Sequence, residues 1–381
     1  MHDTPVPDLS GLAALARAGD IDIRPVLLRV QTDLFLAAKA RPPEAVAAFR
    51  ALATGLIPVV DAGTLAVVAQ KLAPHPDTPE AVIEALARAG GRAEEIVLAL
   101  TPNLPEEGLT AIAATGPVRL AVAVARRRDL APQTLDALVA RRHVALDEAL
   151  AGNPSPLPAD VLATLVARAR QSAHLRAALA ALLLERADLP VIDAAALYGE
   201  AEPARRAAIL AEMGRAAALD GRRRALPLVD ATRREALVRA AARGDRPAFS
   251  VRLADAFGTS IREAQRLLAD PSGDLLALAL HAVGFEEEEA VRVFLTLDPA
   301  LAQSTQRVFA LAGRIRAVPR EVAARVVFAV LGRDTGEVRP RAAHVPAMAP
   351  GGTTSRPALP GLRRPAPPER PPETGRDRSA G

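Results

Sequence analysis

The sequence predicts an all-α protein assembled from short helical hairpins, on three observations. Prolines recur almost in register through residues 77–190, at Pro79, Pro105, Pro132 and Pro158, with spacings of 26, 27 and 26 residues. Hydrophobic residues make up 50% of the chain but aromatic ones only 2%, with one Tyr and no Trp, so the core must be built from Ala, Leu and Val. Ala and Leu favour helix, whereas strand-rich folds use aromatic and β-branched residues. Apolar residues after the prolines recur at helical offsets of three, four and seven: Val82, Ile83 and Leu86 after Pro79, and Val161, Leu162 and Leu165 after Pro158.

Each proline suits the first turn of a helix, where its missing N–H would have no intrahelical partner. An Asp or Asn stands a few residues ahead of it, at Asp77, Asn103 and Asp129, and again at Asp188 before a fifth, irregular copy at Pro190. These side chains are expected to cap the free amides. Seven places after each proline comes a large apolar residue: Leu86, Ile112, Val139, Leu165 and Leu197. A break such as Gly90-Gly91 or Thr115-Gly116-Pro117 leads into a second short helix, at 96–100, 120–124, 146–150 and 175–184. One unit of helix, turn and helix is too small to bury an apolar face alone, so copies must stack. The predicted architecture is a HEAT-like α-solenoid with short helices, followed by a smaller helical region and a Pro/Arg-rich tail.

In chain order, N-terminal helices occupy 1–41, with a short helix over 9–18 and an amphipathic one over 24–39 whose inward face is Val26, Leu27, Val30, Leu34 and Phe35. The array occupies 42–200, opening with a helix after Pro42-Pro43 and another over 61–72. The C-terminal helical region runs over 201–332, with helices predicted at 201–218, 230–243, 275–283, 299–316 and 319–331. Ser260 or Thr259 caps the helix carrying Ala264, Leu267 and Leu268, and Asp270-Pro271-Ser272-Gly273-Asp274 is a turn that caps the next. Glu286–Glu289 form an acidic first turn. Residues 333–381 hold ten of the 33 prolines and almost no large apolar residue, a composition expected to be disordered.

The stretch Arg127 to Val139, the run Leu150-Ala151-Gly152-Asn153-Pro154 and the segment 270–284 resemble the domain of unknown function 2336 family, a bacterial family of helical proteins. The resemblance extends over about residues 30–330. It implies a helical fold and supplies no catalytic residue.

No Cys is present, which excludes disulfides, Cys-based zinc sites and thiol catalysis. None of His2, His75, His143, His174, His281 and His344 pairs with another at metal-ligand spacing; His75 reads as a turn residue, His143 and His174 as surface or capping residues, His281 as a partly buried core residue. No phosphate loop or nucleophile elbow occurs, and Ser272-Gly273 reads as a turn. No catalytic residue, cofactor or metal ligand is assigned. The N-terminus does not read as a signal peptide and no apolar run suits a membrane span, so the expected location is the cytoplasm.

Lys39 and Lys71 are the only lysines among 48 basic residues, an imbalance that reads first as coding bias. The tail carries nine arginines against five acids, which accounts for the net charge of +4 and leaves residues 1–332 neutral. The best polyanion candidate is Arg222, Arg223, Arg224, Arg233, Arg234 and Arg239, interleaved with Asp220, Asp230 and Glu235 and lacking an aromatic platform for bases. The expected function is a non-catalytic protein-interaction scaffold. The alternative is a nucleic-acid-binding repeat protein using the 222–243 arginines and the basic tail.

Overall fold

A computed structural model describes residues 22–102, 104–171, 176–220, 226 and 228–333. The helix expected over 9–18, Asn103, His174, Arg222–Arg224 and the tail beyond Arg333 lie outside them. Among the described residues there are 21 α-helices, two short 3-10 turns and no strand.

The first twelve helices are α1 (Arg24–Ala37), α2 (Pro43–Leu56), α3 (Ala62–Leu72), α4 (Glu80–Arg88), α5 (Gly91–Leu100), α6 (Glu106–Thr115), α7 (Val118–Ala125), α8 (Pro132–Ala140), α9 (Val144–Ala151), α10 (Ala159–Gln171), α11 (Arg176–Leu184) and α12 (Val191–Ala196). Helices two apart in sequence pack on one another. The odd-numbered row runs unbroken, α1 on α3, α3 on α5, and so on to α11. In the even-numbered row α2 packs on α4, α6 on α8, and α10 on α12. Leu86, Leu138 and Leu165 are fully buried between these layers. Ile112 and Val139 are only half-buried, because their units bury the adjacent Ala113 and Leu138 instead.

The face predicted for α1 is rotated by about one residue. Leu28, Thr32 and Phe35 are buried while Val26 and Leu34 are exposed. Thr32 tolerates burial because its hydroxyl donates to the Leu28 carbonyl at 2.8 Å. Phe35 stacks on Phe49 of α2 with ring centroids 4.2 Å apart, which sets the helix's rotation.

The remaining helices are α13 (Pro203–Asp220), α14 (Ala231–Ala242), α15 (Arg246–Phe257), α16 (Ile261–Leu268), α17 (Asp274–Ala282), α18 (Glu287–Leu297), α19 (Pro299–Ala302), α20 (Thr305–Ala317) and α21 (Arg320–Leu331). The helix expected over 299–316 is split: Ser304 accepts from the Arg307 amide and starts a new helix. Ser260 and Glu263 form a reciprocal capping box on α16, as Glu286 and Glu289 do on α18. Every residue of α21 from Val322 to Leu331 is buried, against α12, α13, α16 and α17. One apolar core therefore runs from Leu109 to Leu331, across the composition change near residue 200, and a smaller one spans Leu28 to Val97.

The acids ahead of the prolines do not cap. The N-cap positions of α4, α8 and α12 are Pro79, Ala131 and Pro190, and none makes a side-chain cap bond. Asp77, Asp129 and Asp188 lie two residues further upstream, where they cannot serve the N2 and N3 amides. Each instead pairs with an arginine: Asp77 with Arg41 at 2.8 Å, Asp129 with Arg127 at 3.0 Å, Asp188 with Arg186 at 2.7 Å.

Those arginines are clamps on helix C-termini, whose last carbonyls have no intrahelical donor. Arg41 donates to the Phe35 and Leu36 carbonyls at the end of α1. Arg127 donates to Leu98, Thr101 and Pro102 at the end of α5. Arg186 donates to Ala151, Asn153 and Ser155 beyond α9. Between the last two, Asn153 Nδ2 donates to the Ala125 and Arg127 carbonyls at 2.8 and 2.6 Å. A polar side chain at the end of one hairpin thus grips the loop of an earlier one, which explains the motif residues at 127–129 and 150–154. The C-terminal region repeats the device: Arg246 donates to Leu268, Arg320 to Ala282, and Arg333 to Phe257 and Gly258. Arg333, grouped with the tail by composition, therefore closes α15. A planar guanidinium serves two or three carbonyls at once, which an ammonium on a flexible stem does not. The arginine excess has this structural use besides any coding bias.

Candidate interaction groove

The odd-numbered row leaves a groove of about 570 Å³ across α3, α5, α7 and α9. Helix α5 contributes Arg92, Glu95, Ile96, Ala99 and Leu100; helix α7 contributes Val118, Arg119, Val122, Ala123 and Arg126; Gln70 and Ala145 close the ends. On α7 Leu120, Ala121, Ala123, Val124 and Ala125 are buried, while Val118 and Val122, four residues apart, form an apolar stripe that stays half-exposed. The floor is apolar and small-featured, with Ala99, Ala123 and Ala145 letting a ligand approach the helices closely. Charges stand at its margins. Arg92 pairs with Glu95 at 3.0 Å and Arg119 with Glu94 at 2.9 Å. The Arg126 side chain is exposed and makes no hydrogen bond or ion pair among the described residues, although its backbone amide caps the end of α7.

A second cluster, around the turn Asp270–Asp274, is polar but closed. Asp270 has its side chain 1% exposed, and the Arg206 guanidinium, 8% exposed, binds both its oxygens at 3.1 and 3.2 Å. Arg206 also reaches Asp274 at 3.3 Å and the Gly199 and Ala201 carbonyls at 2.7 and 2.8 Å. Ser272 Oγ donates to the Asp270 carboxylate, and Asp270 accepts from the Leu275 amide, so the turn caps α17 as its sequence predicted. Burial pushes the Asp270 carboxyl up, but the Leu275 amide, Ser272 and Arg206 outweigh it and hold it below the ordinary carboxylate value. Gly273 sits at φ 80°, and a Cβ there would meet Leu301 and Leu311 at 3.0–3.1 Å, so glycine is required. The adjoining cleft is about 130 Å³, and its Arg170 is bound to the Val330 carbonyl at 2.7 Å. The donors and acceptors here bind one another, a structural arrangement.

Tyr198 lies under this cluster with the Arg206 guanidinium 5.3 Å from its ring centre. It is fully buried, and its hydroxyl has no protein partner among the described residues. Burial, with the Asp274 charge adding, pushes its pKa up to about 12. Stability linked to this shift is present below the unfolded value of about 10 and is lost as pH rises towards about 12. As the sole tyrosine in a chain without Trp, it is a direct reporter. At pH 11 the folded protein should show about one-tenth of its tyrosinate absorbance, and the denatured protein about nine-tenths. Ionisation centred near the unperturbed value while helical circular dichroism persists would contradict the burial.

Of the polyanion candidates, Arg222–Arg224 lie outside the described residues. Arg233 is exposed and 3.5 Å from Asp230; Arg234 donates to the Val229 carbonyl and lies 3.6 Å from Glu289; Arg239 is exposed in the last turn of α14. At about 100° per residue these three project to three different sides of α14 and form no common stripe. His75 is held in its turn, Nδ1 accepting from the Asp77 amide, and His143 caps α9 by accepting from the Ala145 amide. His281 is half-buried with Nε2 2.9 Å from the Val318 carbonyl. Among the described residues no helix is long and apolar enough to cross a membrane.

The groove residues were not singled out from the sequence. The available signal was the helix 118–125, apolar on more of its circumference than one buried face requires.

A family model described as an uncharacterised protein conserved in bacteria, domain of unknown function 2336, matches residues 95–327. Comparison with curated proteins gives no match, and comparison with solved structures gives none. The match begins within α5, later than the residue 30 to which the resemblance extended, and ends within α21. It takes in the α7 side of the groove, the Arg127–Asn153–Arg186 clamps and the Asp270 turn, and it covers more than half of the chain. The chain belongs to the domain of unknown function 2336 family.

Proposed function

We propose that the protein is a non-catalytic interaction scaffold: an α-solenoid that holds a segment of a partner protein in the groove across α3, α5, α7 and α9, in the cytoplasm. The observation that carries this is the apolar stripe Val118–Val122 on α7, continued by Ala99 and Leu100 on α5, half-exposed and framed by charge. An apolar core within a polar rim is the anatomy of a protein-binding patch. Rows of stacked helices offer such surfaces without any reactive group. Nucleic-acid binding finds less support, because the described arginines of α14 point to different sides.

The test is selection from a displayed peptide library with the full chain as bait and two groove variants, Val118→Glu and Val122→Glu, as counter-baits. Each bait is checked for native helical content and melting. Peptides enriched on the wild type and lost on both variants are expected. No enrichment, or enrichment that ignores both variants, refutes the groove. Salt-sensitive retention of single-stranded DNA by the full chain, with no peptide enrichment, favours the nucleic-acid alternative.

A further inference from the structure

We infer that the segment accepted by this groove is a short apolar stretch with an acidic side chain beside it, placed against Arg126. The inference deepens the groove reading and depends on it. Charge at the groove margins is unequal at its two ends. At the N-terminal ends of α5 and α7 the cations are already matched: Arg92 with Glu95 at 3.0 Å, Arg119 with Glu94 at 2.9 Å and with Glu95 at 3.8 Å. That end is neutral and internally bonded.

At the C-terminal end of α7 the balance differs. Arg126 follows the last helical residue, lines the groove and is exposed. Its position suits the negative end of the helix dipole, yet that leaves its five N–H donors without a side-chain acceptor among the described residues. Several arginines beside helix ends in this chain are spent on carbonyls; Arg127, the next residue, is 2% exposed and donates to three of them. Arg126 points the other way and serves none. A guanidinium with a free fork at the edge of an apolar floor selects a carboxylate, which it can bind through two parallel hydrogen bonds.

The floor fixes the size of the apolar part. Crossing from α5 over α7 to α9 spans two interhelix steps of roughly 8–10 Å each. An extended chain advances roughly 3.3 Å per residue, so about five or six residues cross it. Small side chains at Ala99, Ala123 and Ala145 leave room for medium apolar ones on the ligand. A basic segment would set like charge against Arg126 and leave the fork unused.

The experiment compares the residues flanking the apolar stretch in peptides enriched on the full-length wild type and on Arg126→Glu. Asp and Glu enriched over the input library on the wild type, replaced by Lys and Arg on Arg126→Glu, is the expected result. For one enriched peptide, Arg126→Glu should weaken binding about fivefold or more, and exchanging the peptide's acid for Lys should restore it to within about twofold. Arg126 is exposed, so the variant does not disturb the core. Flanks unchanged between the two baits, or basic flanks on the wild type, overturn the acidic partner while leaving the groove intact. Loss of the groove itself shows separately, as peptides that bind Val118→Glu and Val122→Glu as well as the wild type.

Discussion

Arg206→Met should cost the fold roughly 3–5 kcal/mol, because it strands a buried carboxylate. Asp270 is 1% exposed, and Arg206 is the cation within salt-bridge distance of it. Methionine fills much of the volume, so the loss reports on charge and hydrogen bonds more than on a cavity. The Gly199 and Ala201 carbonyls lose their donors as well. The pH dependence distinguishes the causes. In the wild type the Asp270 pKa lies below its unfolded value. The stability it contributes is present above about pH 4 and is lost as pH falls through the folded value. Without Arg206 one of the groups holding that pKa down is lost and the pKa rises, so protonation relieves the variant. The deficit in urea denaturation should therefore be largest near neutral pH and shrink towards pH 4. Arg206→Met/Asp270→Asn should be more stable than Arg206→Met alone. A deficit independent of pH would show that the ion pair is not what the arginine contributes.

Arg127→Ala should cost a similar amount, roughly 3–5 kcal/mol, by a different route. Its acidic partner, Asp129, is 60% exposed and can return to water. What remains is a cavity and the Leu98, Thr101 and Pro102 carbonyls at the end of α5 without their donor. Because Arg127 lies at the end of α7 and grips the end of α5, the loss couples two hairpins, and denaturation should show both loosening together. Arg127→Lys tests the geometry. An ammonium keeps the charge but cannot span three carbonyls, so it should recover about half of the loss or less. Full recovery by Lys would mean that charge alone matters there.

The helical hairpins were legible because proline and helical spacing are local signals. Pro79, Pro105, Pro132 and Pro158 mark helix starts, and Leu86, Leu165 and Leu197 fall in the core as their offsets require, whereas Ile112 and Val139 yield that place to the adjacent Ala113 and Leu138. What local patterns could not carry was the destination of polar side chains. Asp77, Asp129 and Asp188 look like caps by composition, but Asp77 pairs with Arg41, 36 residues away, and Asp129 and Asp188 pair with the arginine two residues before them, which is itself held by carbonyls 29 and 35 residues earlier. The same holds for Arg206, whose partners lie 64 and 68 residues away. The face of α1 was misjudged because Thr32, polar in sequence, satisfies its hydroxyl within the helix and goes inward. The groove was illegible for a related reason: Val118 and Val122 read as ordinary helix residues until neighbouring rows leave them half-covered. The arginines of α14 drew attention by number, and helix geometry then separated them.

The most direct test of the scaffold proposal is a calorimetric titration of the full chain with one library-selected peptide. One peptide should bind per chain. Val122→Glu should weaken it about tenfold or more, roughly 1.4 kcal/mol, while Arg233→Glu and Arg239→Glu on α14 should leave it within about twofold. Binding indifferent to Val122→Glu, or abolished by the α14 reversals, would contradict the account and move the interaction surface away from the groove.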